Sequence, residues 1–309
     1  MGQNMVLGID IGGSKIAAGL VDEKGGISHY LKWDLPGSYD KEYIIDTILG
    51  NINGIPGNDF SIKAAGVSIP GVTDAKDGIW VYAPFSGISD FPIAETLSGK
   101  LNIPVYIEND VNACAIGEKR YGCCKDSADF LWITVSNGIG GGLFLNNGIY
   151  RGASGYAGEI GHVKVKDNSG RVCGCGKTGC LEAEASGFAI SSKYNEKHKA
   201  NLTTKELAAM QENTEAAAAF YEAGFYIGKG ITHAVNLLNI EKVVLGGGVS
   251  ESFGLILSGI RAAVDKCLFS QANMNLIIEK TALGYHAGLL GAAAVGWNGI
   301  YEQREHENG

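Results

Sequence analysis

Positive charge is scarce in this sequence of 309 residues. Lys and Arg total 25 against 33 Asp and Glu, a net charge of -8. A surface for nucleic acid or an anionic membrane needs clustered cations to displace counterions, so both partners are argued against. Long apolar runs are missing too: the stretch near Gly288 to Trp297 is too short to cross a bilayer. Met1 to Asp10 has neither a basic segment nor an apolar core before a cleavage site, and Val6 stands where a myristoylation signal needs Ser or Thr. The expected location is therefore the cytoplasm, without a membrane anchor. There is no low-complexity tract and no run of like charge, so disorder is expected only in the polar tail from Glu302 to Gly309.

What is present fits a globular protein. Hydrophobic residues make up 45% and charged residues 19%, and the length suits two lobes, each with its own core. Seven cysteines are an odd number, and three of them, Cys173, Cys175 and Cys180, crowd into eight residues. In a reducing compartment such a cluster reads as metal rather than disulfide. Cys114 and Cys267 lie in apolar stretches and read as buried small hydrophobes.

The hydrophobic pattern has a repeat in it. Val6 to Ile11 reads as a strand, Gly12 and Gly13 as a turn, and Lys15 to Asp22 as a second strand. A β-like run from Ile27 to Leu35 follows, then helix (Glu42 to Ile52), strand (Ala64 to Ile69), helix (Ile93 to Leu101), strand (Val105 to Glu108) and helix (Val111 to Tyr121). The scheme then restarts with strand Phe130 to Val135, glycine turn Gly138 to Gly142 and strand Leu143 to Leu145. Helical stretches are expected over Ala183 to His198, Thr203 to Gln211, Glu215 to Asn236, Leu255 to Phe269 and Ala287 to Tyr301, with strands at Val243 to Leu245 and Leu276 to Glu279. Two halves that each open with strand, glycine turn and strand imply a duplicated α/β architecture with a ligand cleft between lobes.

Five motifs carry chemistry. In Gly8-Ile9-Asp10-Ile11-Gly12-Gly13-Ser14-Lys15, glycines without side chains let backbone N–H groups approach a phosphate, and Asp10 can hold Mg2+ through water. A dinucleotide fingerprint is excluded because both glycine turns lead into strands, not helices. Gly138 to Gly142 reads as a second phosphate turn, and Gly246 to Gly248 as a place where adenine or ribose lies against backbone. In Glu108-Asn109-Asp110, Asp110 sits at or near a helix N-cap; an Asp there is ordinarily a cap, but between two phosphate turns it is a candidate base for a sugar hydroxyl. Last, Gly158-Glu159-Ile160-Gly161-His162 precedes Cys173-Gly174-Cys175 and Cys180-Leu181-Glu182. Three thiolates and the His162 imidazole make a closed tetrahedral site, the mark of a structural Zn2+. Glu159 and Glu182 flank it as candidate ligands of sugar hydroxyls.

Taken in this order, from about Val6 to Trp297, the motifs resemble the ROK family of sugar kinases and sugar-responsive repressors. The stretch from Cys173 to Glu182 with Gly158 to His162 upstream is the most specific part. The resemblance implies an actin-like (ribonuclease H-like) ATPase fold with a zinc-bearing insertion. It implies a small lobe of residues 1–120 plus 287–309 and a large lobe of residues 121–286. It makes the chain an ATP-dependent kinase for a hexose-like sugar, with ATP, Mg2+ and structural Zn2+. Asp110 becomes the general base and Asn109, Glu159, His162 and Glu182 sugar ligands. Asp10, Gly12, Gly13, Ser14, Lys15, Asn137, Gly138, Gly140, Gly247 and Gly248 become nucleotide contacts. The expected partners are a small-molecule sugar and ATP in a homodimer, without nucleic acid. The repressors' helix-turn-helix is not expected, because the first hairpin begins at Gly8. Two residues depart from the pattern. Asn137 replaces a usual Thr, and Phe85 replaces a usual sugar-binding Asn, which leaves glucose, fructose, N-acetylated hexosamines and β-glucosides all open as acceptors, with ATP or polyphosphate as donor.

Overall fold

The backbone follows from where the alternating residues can be buried. A computed structural model describes residues 2–37, 39–55, 60–83, 86–167, 170–210, 212–269 and 275–308. They form an α/β fold with mixed sheets in two units. One is Met1–Asp126 with Arg151–Tyr156 and Ala282–Gly309; the other is Ser127–Tyr150 with Ala157–Thr281. No described helix is long and apolar enough to cross a membrane.

The first unit holds β1 (Gln3–Ile11), β2 (Lys15–Val21), β3 (Ile27–Asp34), α1 (Lys41–Ile52), β4 (Phe60–Ile69), β5 (Val72–Asp74), β6 (Ile79–Tyr82), β7 (Ser89–Phe91), α2 (Ile93–Leu101), β8 (Val105–Asn109) and α3 (Asp110–Tyr121), and it is completed by the C-terminal helix, Ala287–Asn308. Its main sheet has the order β3-β2-β1-β4-β8, with β2 antiparallel to both neighbours and β1, β4 and β8 parallel. The period of two along β1 divides its side chains. Met5, Leu7, Ile9 and Ile11 enter one core with Ile44, Ile48, Ile93 and Leu97 of α1 and α2. Val6, Gly8 and Asp10 face the other way, where Leu289, Ala293 and Trp297 of the C-terminal helix pack. The same alternation that builds the core thus sets a carboxylate under that helix.

The second unit holds β9 (Phe130–Val135), β10 (Ile139–Leu145), β11 (Gly148–Ile149), α4 (Leu181–Ala185), α5 (Gly187–His198), α6 (Thr204–Ala209), α7 (Thr214–Leu238), β12 (Lys242–Gly246), α8 (Phe253–Cys267) and β13 (Ile277–Lys280). Its sheet order, β11-β10-β9-β12-β13, repeats the first sheet position for position. The pattern of antiparallel and parallel pairs repeats as well. Leu131, Ile133 and Val135 of β9 meet Phe220, Ile227 and Ile231 of α7 and Ile256 and Ile260 of α8 in its core.

Three expectations change. The single helix expected over Ala183 to His198 is two, because Ser186 is extended (φ -65, ψ 164) and its side chain accepts the N–H of Ala189, capping α5. The polar tail continues the C-terminal helix through Asn308, held where the Tyr301 hydroxyl donates to Glu23 at 2.8 Å and that of Tyr106 to Gln303 at 2.8 Å. The short sheet β5-β6-β7 was not anticipated. It is anchored by Trp80, fully buried, whose indole N–H donates to the Pro70 carbonyl at 3.0 Å.

Candidate functional site

In the first unit the chemistry gathers where β1, β4 and β8 end. Asp10 pairs with Ser68 across β1 and β4, and the Ser68 hydroxyl, fully buried, donates to Asp10 Oδ1 at 2.6 Å. Room for the other oxygen is made by Gly288, where a Cβ would lie 2.2 Å from Oδ2. Burial raises the pKa of Asp10, offset by the Ser68 hydrogen bond and by Lys15. Asp10, Gly12 and Lys15 line a small cavity of about 90 Å³ together with Tyr30, Lys32, Tyr285 and His286. In the turn, Gly12 spends its N–H on the Lys15 carbonyl at 2.8 Å, which leaves the amides of Gly13 and Ser14 as the ones able to face an anion. Lys32, 253 residues from Tyr285, donates to its hydroxyl at 2.7 Å and holds that phenol below its usual range.

Asp110 is the first residue of α3, and Asn109, not Asp110, is the N-cap. Asn109 Oδ1 accepts from the N–H groups of Val111 (3.0 Å) and Asn112 (3.1 Å), while its Nδ2 donates to the Gly71 carbonyl (2.9 Å) and to Asp110 Oδ1 (3.1 Å). All four positions of the amide are in use, so Asn109 orients Asp110. Burial, and then the negative charge of Asp10, push the Asp110 carboxyl up to about 7, against the pull of its hydrogen bonds. Behind them Glu108, 1% exposed, is held by the Arg151 guanidinium through Nε at 3.0 Å and through Nη2. The sequence reading missed Ser68, Lys32, Tyr285 and this pair. Phe85 lies outside the described residues.

In the second unit the segment after β11 folds back on itself. Leu181 donates to Val163 and Val165 to Gly179, which brings Cys180 beside His162. The turn from Cys173 to Lys177, closed by Cys173 N–H on the Lys177 carbonyl at 2.7 Å, supplies Cys173 and Cys175. One ligand atom from each of His162, Cys173, Cys175 and Cys180 lies within 4.8 Å of all the others. Cys175 and Cys180 Sγ are 3.7 Å apart, and Cys173 Sγ is 3.6 Å from His162 Nδ1. Zinc bond lengths of roughly 2.3 Å to sulfur and 2.0 Å to nitrogen give tetrahedral edges of about 3.8 and 3.5 Å. The donor set and its spacing fit Zn2+. Gly158 lets the start of this segment lie against β10: its φ is +92, and a Cβ there would meet the Gly141 carbonyl at 2.2 Å.

His162 Nε2 points the other way, 3.8 Å from Glu159, which is exposed. Glu182 Oε2 accepts the N–H of Ile139 at 3.0 Å, so a carboxylate already holds one amide of the second glycine turn. Gly140 lies in β10, paired with Thr134, rather than in the turn. Asn137 and Gly248 share a cavity of about 420 Å³ with Gly187 at the start of α5, Thr203, Lys205 and Glu251. The break at Ser186 brings Gly187 there, since its N–H donates to the Ser136 carbonyl at 2.7 Å.

The sequence profile of the ROK family matches residues 6–297. The chain is 32% identical over 295 residues to the xylose repressor of Bacillus subtilis, covering 94% of this chain and 76% of the repressor. It is 30% identical over 328 residues to the glucokinase of Halalkalibacterium halodurans, covering 99% and 97%. Among solved structures it is similar to a ROK family glucokinase from Streptomyces griseus in complex with glucose and AMPPNP, with a TM-score of 0.83, 31% identity and coverage of 95% and 99%.

Proposed function

The chain belongs to the ROK family, and on that premise we propose that it transfers the γ-phosphoryl group of ATP to a hydroxyl of a hexose or hexose derivative, with Asp110 as general base. The observation that carries this reading is the placement of Asp110 at the head of α3, aimed by the Asn109 amide at 3.1 Å; burial and the charge of Asp10 raise its carboxyl to about 7. A carboxylate with an ordinary pKa is a feeble base at neutral pH. One near 7 combines a usable ionised fraction with a real affinity for the hydroxyl proton. Asp110 takes that proton as the sugar oxygen attacks phosphorus, and Asn109 keeps it aimed.

Glucose and AMPPNP in the Streptomyces griseus complex support a hexose acceptor and an ATP donor. The amides of Gly13 and Ser14, with Lys15, hold phosphate oxygens, and the cavity lined by Asn137 and Gly248 takes the nucleoside. Gly12 shapes the first turn, Gly138 the second, and Gly247 sets the backbone beside the nucleoside. Asp10 would hold Mg2+, which would neutralise charge on the phosphates. Glu159, Glu182 and His162 Nε2 bind sugar hydroxyls, and His162 Nδ1 and the three thiolates would hold a structural Zn2+ that would brace the segment carrying them.

A second reading, a sugar-binding regulator without turnover, is favoured by the match to a xylose repressor over most of this chain. A coupled assay of ADP release against a panel of hexoses separates the two. The kinase reading expects sugar-dependent ADP release that Asp110→Asn lowers by about two to four powers of ten. Sugar binding without any release favours the regulator.

A further inference from the structure

We propose that the cavity beside Asp10 is a phosphate site completed by Lys32 and Tyr285, two residues brought together from 253 positions apart. The inference rests on the phosphoryl-transfer reading above and deepens it: the occupant is a phosphoryl group, either the terminal one of the donor or free inorganic phosphate.

Strand register places the site. Lys32 of β3 pairs with Ala17 of β2, Ala17 with Asp10 of β1, Asp10 with Ser68 of β4, and Ser68 with Glu108 of β8. Directly paired residues share a face, so these five make one row across the sheet. At about 4.8 Å per strand, Lys32 stands roughly 10 Å to one side of Asp10. The end of β8, where α3 begins with Asp110, stands about as far to the other side. Ala17, between Lys32 and Asp10, has only a methyl group, and it lines the cavity with both of them. A phosphoryl group bound there lies against Asp10, whose charge acts on Asp110, and so on the side of the donor that an acceptor at Asp110 must reach.

Size and charge select the occupant. The cavity is about 90 Å³, against roughly 300 to 1,000 Å³ for sites that take whole small molecules. At about 30 Å³ per water it has room for roughly three waters, which suits a phosphoryl group and excludes a sugar ring or a nucleoside. Lys15 and Lys32 line it against the single carboxylate of Asp10, so an anion meets a net positive wall. Lys32 donates to the Tyr285 oxygen at 2.7 Å, and Tyr30 bonds to that oxygen as well. A phenol oxygen that accepts from both keeps its own O–H for a ligand, and Lys32 keeps two further N–H groups. Ring contacts hold the phenols in place: His286 meets Tyr30 edge-on at 4.8 Å between centroids and Tyr285 at 5.3 Å. Donors held in this way bind an oxyanion with little loss to ordering.

The test is calorimetric titration, with Mg2+ present, of AMPPNP, ADP and inorganic phosphate into the full chain and its variants. Lys32→Met, at an exposed position, should weaken AMPPNP about tenfold, the worth of one charge-assisted hydrogen bond, and ADP by less than about twofold. Tyr285→Phe removes only the hydroxyl and should weaken AMPPNP by about threefold to tenfold. Lys76→Met, the same loss of charge elsewhere in the first unit, should change neither affinity. A loss confined to AMPPNP assigns the site to the donor's terminal group, a loss confined to phosphate assigns it to free phosphate, and a loss of both means that either can enter; each upholds the site. Equal losses of AMPPNP and ADP in Lys32→Met overturn it, as does no change in either AMPPNP or phosphate. A selective AMPPNP loss in a chain that releases no ADP with any hexose upholds the site and defeats the kinase reading. Sugar-dependent ADP release with affinities that Lys32→Met leaves intact overturns the site alone.

Discussion

The two sheets have the same strand order and the same pattern of directions, yet they carry different chemistry at equivalent places. After the third strand the first unit returns to its sheet within residues 35–59, whereas the chain between β11 and β12 runs over residues 150–241, of which 151–156 belong to the first unit. That longer excursion holds the cysteine cluster, α4 to α7 and the flanking glutamates. The first hairpin turn faces a carboxylate backed by Ser68 and Lys15; the second gives one of its amides to Glu182. Topology is thus the shared part, set by alternation and glycine turns, while function resides in what each connection brings to the strand ends.

The largest expected effect tests what the longer excursion contributes. Protein purified without added metal should contain about one zinc per chain by elemental analysis. Cys180→Ser, at a site 1% exposed, should lose the metal and several kcal/mol of stability. For a unit of this size that is a fall in Tm of roughly 10 °C. A metal-free protein with an unchanged Tm would end the structural role of the cluster.

Next comes the chemistry of the first unit. Asp110→Asn keeps the hydrogen-bond acceptor but cannot take a proton. Turnover should fall by about two to four powers of ten, roughly 3 to 5.5 kcal/mol of barrier, with sugar affinity largely kept. The helix should not suffer, because the cap belongs to Asn109. Retained turnover would return Asp110 to a purely structural role.

Much of this was legible before the structure. Asp10, Asp110, His162 and the three cysteines could be named as candidates because each lies inside a short motif whose spacing reports local geometry. Ser68, Arg151 and the Lys32 and Tyr285 pair were not, because their partners lie 58, 43 and 253 residues away. Hydrophobic periodicity carries no record of such pairings. The strands β5 and β7, three residues each, are too short to show a period. Ser186 had the residue type of a cap, but the apolar positions on both sides ran on as one helix and concealed it.

Asp110 also links the site to stability. Its ordinary pKa of 3.8 applies to the unfolded chain, and the folded value is about 7. Below about pH 4 both states hold the proton and nothing is lost. Between about 4 and 7 only the unfolded chain releases it, so wild-type stability falls as pH rises, and above 7 the loss is complete. Asp110→Asn should therefore be more stable than wild type at pH 8 by at most about 4 kcal/mol, with the gain vanishing near pH 4. Urea titrations of both proteins across this range measure it; a gain independent of pH would show that ionisation is not its source.

The smallest effect separates two glycines at equivalent strand ends. After β4 the chain turns at Gly71 with φ +92, and after β12 at Gly247 with φ +82. Either glycine to alanine places a Cβ in the left-handed region, a cost of about 1 kcal/mol. At Gly247 a Cβ would in addition lie 2.5 Å from the Val135 carbonyl and 2.9 Å from Thr134 Oγ1, both of β9. Backbone cannot yield as a flexible side chain can, so Gly247→Ala should cost about 2 to 3 kcal/mol in all. Because Gly248 lines the cavity assigned to the nucleoside, Gly247→Ala should also weaken nucleotide binding, whereas Gly71→Ala should act on the sugar side through Asn109. Melting curves and titrations with an ATP analogue read both effects, and a loss of only about 1 kcal/mol at Gly247 would mean that the close approach to β9 relaxes at little cost.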